Sequence, residues 1–521
     1  MNAHQIVRRL EAFRLGRPLP QGETLHFPIA AAADLLLVAF VRMGGESAPW
    51  GIAFGHPDKA PTVLTVAEPR NRDLVADMVA AFAPILLRHL RHPAHSDEQI
   101  DGPEGRRPLR QVWLPSPTHL DMLHHLAYAY AFTRWGEPGR ARLLNQLGRA
   151  TSWLFQEAHR PGQITVMVGT DVLRESFIFP AEDIRQAHLG FLLAWLTASG
   201  GREARLAAAA GAEVESVATS LDPELERKAL EPLVTRWNEA RGNDTTQASL
   251  ARRVRAVLEP ELLRRLKLTQ RTIDLLGADN RRLNGGVAVL QSMAQSEHWY
   301  RYLRLEKRLN DEADGPAYVP SPETDRYAPA AAARFFAHEE AEEVRYGALI
   351  HDDSEIVADA IAAGDAFRGR IVKVRDEGRG AGSKPVWVVE DEGAGPLRLR
   401  EGSFVCVVGV PKRTGGIRRV EPIPEGGRRY EVVITGWKKA RQDGGRIIRA
   451  AHDPALTGSE VVMVEATSEG LVRRKGQRVW KKDVPGAWLT HAVPRSAAAQ
   501  LPPEVGGEDL EAAAAPRGDR S

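Results

Sequence analysis

Apolar residues follow two different spacings along this chain. Residues 33–41, 50–54 and 62–66 are short runs rich in branched and aromatic side chains, which predicts β-strands separated by turns. Residues 71–91 instead place apolar side chains three or four positions apart, which predicts a helix. We therefore predict a small α+β domain over residues 1–95.

The middle of the chain has helical spacing almost throughout. Ser116 and Pro117 form a good helix start, because serine accepts a backbone N–H and proline has no N–H to leave unpaired. Pro260 should end one helix after Glu259 and begin another, because it cannot donate the hydrogen bond that a helix interior needs. We predict a helical domain over residues 108–310. A helical connector over residues 328–364 should follow.

After residue 365 the spacing returns to short strands broken by glycine, which is typical of a small β-barrel. We predict a basic barrel-like region over 365–490, with residues 446–450, 460–466, 471–474 and 479–481 in a second small sheet. Residues 497–521 hold few large apolar side chains and should be a disordered tail. The predicted fold class is α+β multidomain, with a small N-terminal α+β unit, a mainly helical middle and a C-terminal β-rich small-barrel region.

Charge is distributed unevenly along the 521 residues, although the formal net charge is only +2. Residues 368–490 contain 25 Lys or Arg and 15 Asp or Glu, whereas the remainder contains 45 basic and 53 acidic residues. A basic surface raises the local concentration of polyanions, but it implies no chemistry. The predicted barrel is therefore the place where nucleic acid or another polyanion should bind.

Basic residues recur at the predicted turns and strand ends of this region, with tryptophans between them. Small barrels that bind single strands combine cations for phosphate with aromatic faces for bases. The competing interpretation places the tryptophans in the core and leaves the cations solvated. The candidate contact residues are Lys412, Arg413, Arg418, Arg419, Trp437, Lys438, Lys439, Arg441, Arg473, Arg474, Lys475 and Trp480.

A second basic zone covers residues 252–282. Arg264, Lys267 and Arg271 lie at spacings that one helix face would share, so they could extend a phosphate track. A solvated helix is the alternative interpretation.

Phosphate-loop chemistry is not supported. In residues 378–384 Ser383 separates Gly382 from Lys384, whereas a phosphate loop needs Gly and Lys adjacent and a helix after them. The segment that follows has strand character. We expect a hairpin loop.

Metal and nuclease motifs are equally weak. His119 and His124 are five residues apart and diverge by about 140° on a helix. The acidic runs 338–343 and 351–355 are expected to be solvated helix faces, because a Mg²⁺ site needs oxygens that converge from separate elements. Asp58 and Glu68 loosely resemble the carboxylates of a restriction-type nuclease, but Pro69 would interrupt the strand. We expect no catalytic residues, no metal and no cofactor.

The single cysteine, Cys406, rules out an internal disulfide and is expected to be buried. The sequence shows neither a secretory signal nor an apolar run of membrane-spanning length, so we expect a cytoplasmic protein without a membrane partner. The favoured function is a non-enzymatic nucleic-acid-binding or accessory subunit that serves a separate catalytic protein. A metal-dependent nuclease or hydrolase and a protein-assembly scaffold are the alternatives.

Overall fold

The structure is a computed structural model that describes residues 3–57, 59–90, 110–131, 133, 136–160, 162–181, 184–287, 345–378, 383–391, 393, 395–424, 426–436, 441–443 and 446–466. For residues 441–443 and 446–448 the backbone alone is described. The predicted tail over 497–521, the predicted strands at 471–474 and 479–481 and residues 328–344 of the predicted connector lie outside these residues, whereas residues 345–364 of the connector are described.

The helices of the described chain lie mainly in its middle. Their bounds are α1 Ala3–Leu15, α2 Arg72–Leu90, α3 Pro117–Tyr130, α4 Pro138–Ala158, α5 Gly169–Ser176, α6 Leu189–Thr197, α7 Arg202–Glu213, α8 Pro223–Leu225, α9 Glu231–Glu239, α10 Asp244–Gly277 and α11 Ser354–Ala363. Short 3-10 turns lie at Ala32–Asp34, Arg185–Ala187 and Pro454–Leu456.

The strands form two main sheets and three small pairs. Up to residue 283 the strands are β1 Leu19–Pro20, β2 Thr24–Leu25, β3 Leu35–Arg42, β4 Pro49–Gly55, β5 Thr62–Thr65, β6 Gln111–Leu114, β7 Val166–Val168, β8 Phe177–Ile178 and β9 Arg282–Leu283. The later strands are β10 Ala366–Glu377, β11 Lys384–Asp391, β12 Phe404–Val407, β13 Val410–Pro422, β14 Arg428–Ile434, β15 Arg441–Asp443, β16 Arg446–Ile448 and β17 Glu460–Glu465.

A five-stranded sheet in the order β5-β4-β3-β6-β7 forms the centre of the larger domain. The meander β3-β4-β5 is antiparallel, whereas β6 runs parallel to both β3 and β7. One hydrophobic core joins this sheet to helices α2, α3, α4, α6 and α10. The sheet and its core therefore take elements from both predicted ranges, 1–95 and 108–310.

Helix α10 corrects one prediction, because it runs unbroken through Pro260. Proline removes one helical hydrogen bond, at a cost of about 3 kcal/mol in a helix interior. The buried residues Leu250 and Val254 lie before the proline, and Leu262 and Ile273 lie after it, all in the same core. Burial of this stripe on both sides offsets the lost hydrogen bond.

The later strands close into a barrel in the order β10-β11-β14-β13-β12-β17. Its interior is a separate core that includes Phe367, Trp387, Tyr430 and Met463, and the Phe367 and Tyr430 rings stack with centroids 3.9 Å apart. The predicted fold class is confirmed, because the structure contains helices and sheets, a mainly helical middle and a C-terminal barrel. The second predicted sheet is wrong in part, because β17 pairs with β10 and β12 and closes the barrel.

Strands β15 and β16 pair with each other and form a two-stranded ribbon. Within the described residues this pair shares no ladder with the barrel. The loop at residues 378–383 joins the paired strands β10 and β11, so the predicted hairpin is confirmed. No helix of the described chain is long and apolar enough to cross a membrane.

Candidate nucleic-acid interface

The outward face of β10, β11, β14 and β13, called the barrel wall here, contains several of the predicted cations. Strand register places charges of alternating sign across it. One row of cross-strand neighbours runs from β17 through β10, β11 and β14 to β13. Its residues, in that order, are Glu460, Arg370, Glu390, Arg429 and Glu421. Opposite charges that face each other across strands attract and neutralise each other. The wall is therefore a mixed lattice rather than a basic surface.

Arg418 and Arg419, two predicted phosphate contacts, belong to this lattice. Arg418 donates two hydrogen bonds of 2.7 Å to the carboxylate of Glu377. Its guanidinium holds the pKa of Glu377 below the usual value. Arg419 forms an ion pair of 2.7 Å with Glu421. A phosphate would have to displace a carboxylate at each of these arginines.

Arg413 lies inside the module instead of on its surface. It is 4% exposed, and its guanidinium lies 5.5 Å from the centroid of the Trp387 ring. It also donates a hydrogen bond to the carbonyl oxygen of Arg449, while the Trp387 indole N–H donates to Ala451 at 2.8 Å. Arg413 and Trp387 therefore attach residues 449–451, which directly follow β16, to the barrel core. Its neighbour Lys412 is exposed on β13.

Four of the eight remaining candidates lie in a segment that we call the basic ribbon, residues 437–449; they are Trp437, Lys438, Lys439 and Arg441. This segment contains five Lys or Arg and one acidic residue, Asp443. Arg441 lies on β15, opposite Ile448 of β16. The other candidates lie outside the described residues; they are Trp437, Lys438, Lys439, Arg473, Arg474, Lys475 and Trp480.

The second basic zone does not form a continuous stripe. Arg264 forms ion pairs with Glu215 at 2.9 Å and Glu261 at 2.5 Å, whereas Lys267 is exposed. Arg265, the adjacent residue, is fully buried and donates to the Ala218 carbonyl at 2.9 Å. Burial lowers its pKa to about 10. Arg264 and Arg265 are therefore both engaged in contacts within the protein, Arg264 near the surface and Arg265 in the interior.

In open α/β sheets, ligands usually bind in the crevice beyond the carboxyl ends of the strands. The parallel strands β3 and β6 diverge at this position. Their pairing ends at Leu37 and Trp113. Beyond that point the buried ring of His119 accepts the Phe40 N–H at Nδ1 and donates from Nε2 to the Val217 carbonyl. Both bonds fix the neutral tautomer, and burial lowers the pKa of His119 to about 3.

The loop at residues 216–221 occupies the rest of the space beyond the carboxyl ends of β3 and β6. Arg42 donates its backbone N–H to the Thr219 carbonyl at 2.8 Å, and the Thr219 N–H donates to the Thr118 hydroxyl at 3.1 Å. The loop is held from the other side by Arg265. The crevice at the carboxyl ends of the parallel strands is thus occupied by the chain itself.

The acidic run at 351–355 forms a joint: its side chains connect several elements of the fold through hydrogen bonds and ion pairs. Asp352 binds the guanidinium of Arg282, and this hydrogen bond lowers its pKa. Asp353 is buried; burial opposes its ionisation, but hydrogen bonds from His26, Thr24 and backbone amides hold its pKa below the usual range. These carboxylates are satisfied by donors and do not converge on one point.

His351 attaches this joint to the barrel. Its Nδ1 accepts the Gly409 N–H at 3.2 Å, and its Nε2 lies 3.9 Å from the Cys406 sulfur. Because Nδ1 is an acceptor, the proton lies on Nε2, so the ring is not arranged as a base toward the thiol. Cys406 is buried among apolar residues, as predicted.

The other proposed ligands are also dispersed. His124 stacks on Phe155 with centroids 4.3 Å apart, and Glu68 accepts a hydrogen bond of 2.7 Å from Asn238. Asp58 and the run 338–343 lie outside the described residues. In the part of the chain that is described, no three His, Cys, Asp or Glu residues are grouped to hold a metal.

A cavity of about 450 Å³ lies between α1, α5 and α11. Its lining mixes charges of both signs, and burial raises the pKa of Asp171 on its wall. Arg8, which also lines it, bonds Glu355. The lining charges of opposite sign compensate each other, which distinguishes this cavity from an anion site.

Sequence reasoning missed the structural roles of His119 and Arg265. For Arg265 a signal existed, because it lies within the apolar stripe of Leu262 and Leu266. His119 gave no comparable signal, since its partners Phe40 and Val217 are distant in sequence. Comparison with family models, with curated proteins and with solved structures found no match to this chain.

Proposed function

We propose that the protein is a non-enzymatic nucleic-acid-binding accessory subunit, and that the basic ribbon is its phosphate-contacting element. The observation that supports this proposal is the separation of β15 and β16 from the barrel ladder, in a segment with five cations and one acid. A two-stranded ribbon is narrow enough to enter the major groove of a duplex, which is about 12 Å wide.

The barrel wall is a poorer candidate for the same role. Several of its arginines are held by carboxylates, as Arg418 is by Glu377 and Arg429 by Glu390. Binding a phosphate there would exchange one anion for another with little gain in counterion release. The wall therefore serves as the frame from which the ribbon extends.

An accessory role agrees with the filled crevice between β3 and β6. A ligand at the usual place would have to displace the loop at 216–221 and the ring of His119. We therefore assign the contact surface to this chain and the chemistry to a separate catalytic protein. Mg²⁺-dependent cleavage of an oligonucleotide by the purified chain would instead favour the nuclease alternative.

The test is oligonucleotide binding by the full chain across a salt series, with single-stranded and double-stranded probes. The ribbon variant is Lys438→Gln/Lys439→Gln/Arg441→Gln. We expect its affinity to fall on the order of tenfold or more, and the slope of log K against log salt to flatten by about 2 to 3, because each lost phosphate contact contributes about 0.9.

The matched control is Arg418→Gln/Arg419→Gln/Arg429→Gln, which removes the same three positive charges from paired positions of the wall. We expect a change of less than about twofold, because these cations are already neutralised. Equal losses in the two variants would contradict the assignment to the ribbon. Failure of the wild-type chain to bind either probe would contradict the function itself.

A further inference from the structure

The cavity between α1, α5 and α11 lies just after the parallel strand β7. This strand ends at Val168 and α5 begins at Gly169, so the first turns of α5 follow the carboxyl end of a strand that runs parallel to β6. Ligands of open α/β sheets usually bind in this position. The crevice between β3 and β6 is filled by the chain itself, whereas the space beside α5 is a cavity of about 450 Å³. Its volume lies in the range of about 300–1,000 Å³ that is usual for small-molecule sites.

Most charged groups on the cavity wall already have partners. His4 and Arg8 bind the Glu355 carboxylate of α11, with distances of 2.8 and 3.2 Å. Gln5 donates to Asp359 of the same helix at 3.2 Å. Two further lining groups have partners elsewhere, Arg9 at the Ala181 carbonyl and Glu175 at Arg345. These contacts attach α1 to α11 and satisfy the charges that make them.

Asp171 and Arg174 of α5 differ from these groups. They line the same cavity three positions apart, so their Cβ atoms lie about 5–6 Å from each other on one helix face. Asp171 accepts a hydrogen bond of 3.3 Å from the hydroxyl of its neighbour Thr170. Among the described residues Arg174 attracts Asp171 electrostatically, but it forms no hydrogen bond or ion pair. A carboxylate and a guanidinium therefore stand side by side without a bonded counterion.

The surroundings of Asp171 favour a cationic partner. Burial raises the pKa of Asp171, because its charged form is removed from water. Arg174 lowers that pKa only in part. An ammonium group bound to this carboxylate would stabilise the ionised form, since a nearby opposite charge counteracts the effect of burial.

We propose that this cavity binds a free α-amino acid with an apolar side chain, whose ammonium group contacts Asp171 and whose carboxylate contacts Arg174. An α-amino acid carries both charged groups on one carbon atom, so one small molecule can reach two side chains that are neighbours on a helix face. A guanidinium can also hold a carboxylate through two parallel hydrogen bonds.

The rest of the lining fits this class of ligand. Besides His4 it contains three arginines and four carboxylates, so its nearly balanced charge suits a ligand that carries both signs better than an anion. Phe177, Ile178 and Phe179 supply an apolar wall directly after α5. An apolar side chain placed against this wall leaves water, which favours binding.

The first test is isothermal titration calorimetry of the full chain with L-leucine, L-methionine and L-phenylalanine, each up to about 10 mM. We expect at least one of them to bind with a Kd on the order of 0.1 mM, as suits a ligand of this size. Its amide lacks the carboxylate and its N-acetyl derivative lacks the ammonium group. Each derivative should bind about tenfold more weakly or worse, because it loses a hydrogen bond between charged groups.

Two results of this titration would overturn the proposal. One is the absence of binding by all three amino acids. The other is binding of the amide or of the N-acetyl derivative that equals binding of the free amino acid. None of the lining residues belongs to the basic ribbon. Failure of oligonucleotide binding and failure of amino-acid binding are therefore separate outcomes.

The second test assigns each charged group of the ligand to one side chain. Arg174→Gln should weaken binding on the order of tenfold and bring the amino acid and its amide within about twofold of each other. Asp171→Asn should do the same for the amino acid and its N-acetyl derivative. Asp121→Asn and Arg253→Gln, which change exposed residues of α3 and α10, are the matched controls and should leave both ratios unchanged. Wild-type ratios in the two cavity variants would overturn the assignment, even where a change in folding lowers the affinity.

Discussion

The barrel wall and the basic ribbon are both rich in Lys and Arg, but acidic residues are paired with cations across the wall and are scarce in the sequence of the ribbon. On the wall, strand register places carboxylates between several of the cations, as in the row that joins Arg370, Glu390 and Arg429. In the ribbon, five cations accompany one acid over thirteen residues. Composition does not reveal the pairing on the wall, because register decides which side chains are neighbours.

The difference also underlies the two roles in the proposed function. The inner face of the wall packs on a core that includes Trp387 and Tyr430. The ribbon has two short strands of three residues each, and these pair with each other. In the proposed function the packed barrel is the frame and the ribbon is the contact element.

The largest predicted effect is a loss of stability in the barrel, which is the frame in the proposed function. Trp387→Ala should destabilise the barrel by about 3 to 5 kcal/mol, because it removes a fully buried ring and the surface on which Arg413 packs. Urea unfolding followed by Tyr and Trp fluorescence measures this change. The exposed position Val372 supplies a control, for which alanine should cost less than about 0.5 kcal/mol. Similar losses at both positions would contradict the assignment of Trp387 to the core.

A second prediction uses pH, which should change the stability of the folded protein but not oligonucleotide binding by the ribbon. Burial lowers the pKa of His351 to about 4, whereas in the unfolded chain it titrates near 6.5. The unfolded state therefore binds more protons below pH 6.5, and stability falls as the pH falls through that range. Between pH 7 and pH 5 the loss should be about 2 kcal/mol from this residue.

His351→Gln should flatten that part of the pH dependence, as measured by urea midpoints at both pH values. Oligonucleotide affinity of the folded wild type should change little over the same range, because Lys and Arg stay charged. An unaltered pH slope in the variant would show that His351 does not contribute as described.

The smallest predicted effect lies within the wall. A double-mutant cycle of Arg429→Gln and Glu390→Gln should give a coupling of about 0.2 to 1 kcal/mol, because both side chains are partly exposed and solvent screens them. Urea unfolding of the four variants gives this value. A coupling near zero would mean that register alone does not establish the ion pair.

Local patterns predicted much of the architecture. The strand expected at 50–54 is β4, and the helix expected at 71–91 is α2. The barrel followed from short strands separated by glycine. Its closure by β17 could not be predicted, because β17 pairs with β10 across some ninety residues of sequence and loop length does not specify a partner strand.

The site was less accessible to sequence reasoning. Arg413 looks like a surface cation beside Lys412, but it is buried and its guanidinium packs on the Trp387 ring of the barrel core. The pairing of Arg418 with Glu377 joins residues 41 positions apart. The sequence therefore located the C-terminal barrel, but which of its cations are paired depends on three-dimensional contacts.

The most direct test of the account restores charge to the wall in a chain that lacks the ribbon cations. Glu377→Gln/Glu390→Gln/Glu431→Gln in the Lys438→Gln/Lys439→Gln/Arg441→Gln background has the net charge of the wild type. We predict that salt-dependent oligonucleotide binding returns, with a slope of about 2 to 3, because Arg375, Arg418 and Arg429 lose their carboxylate partners. Binding that stays at the level of the ribbon variant would contradict the claim that these carboxylates neutralise the wall.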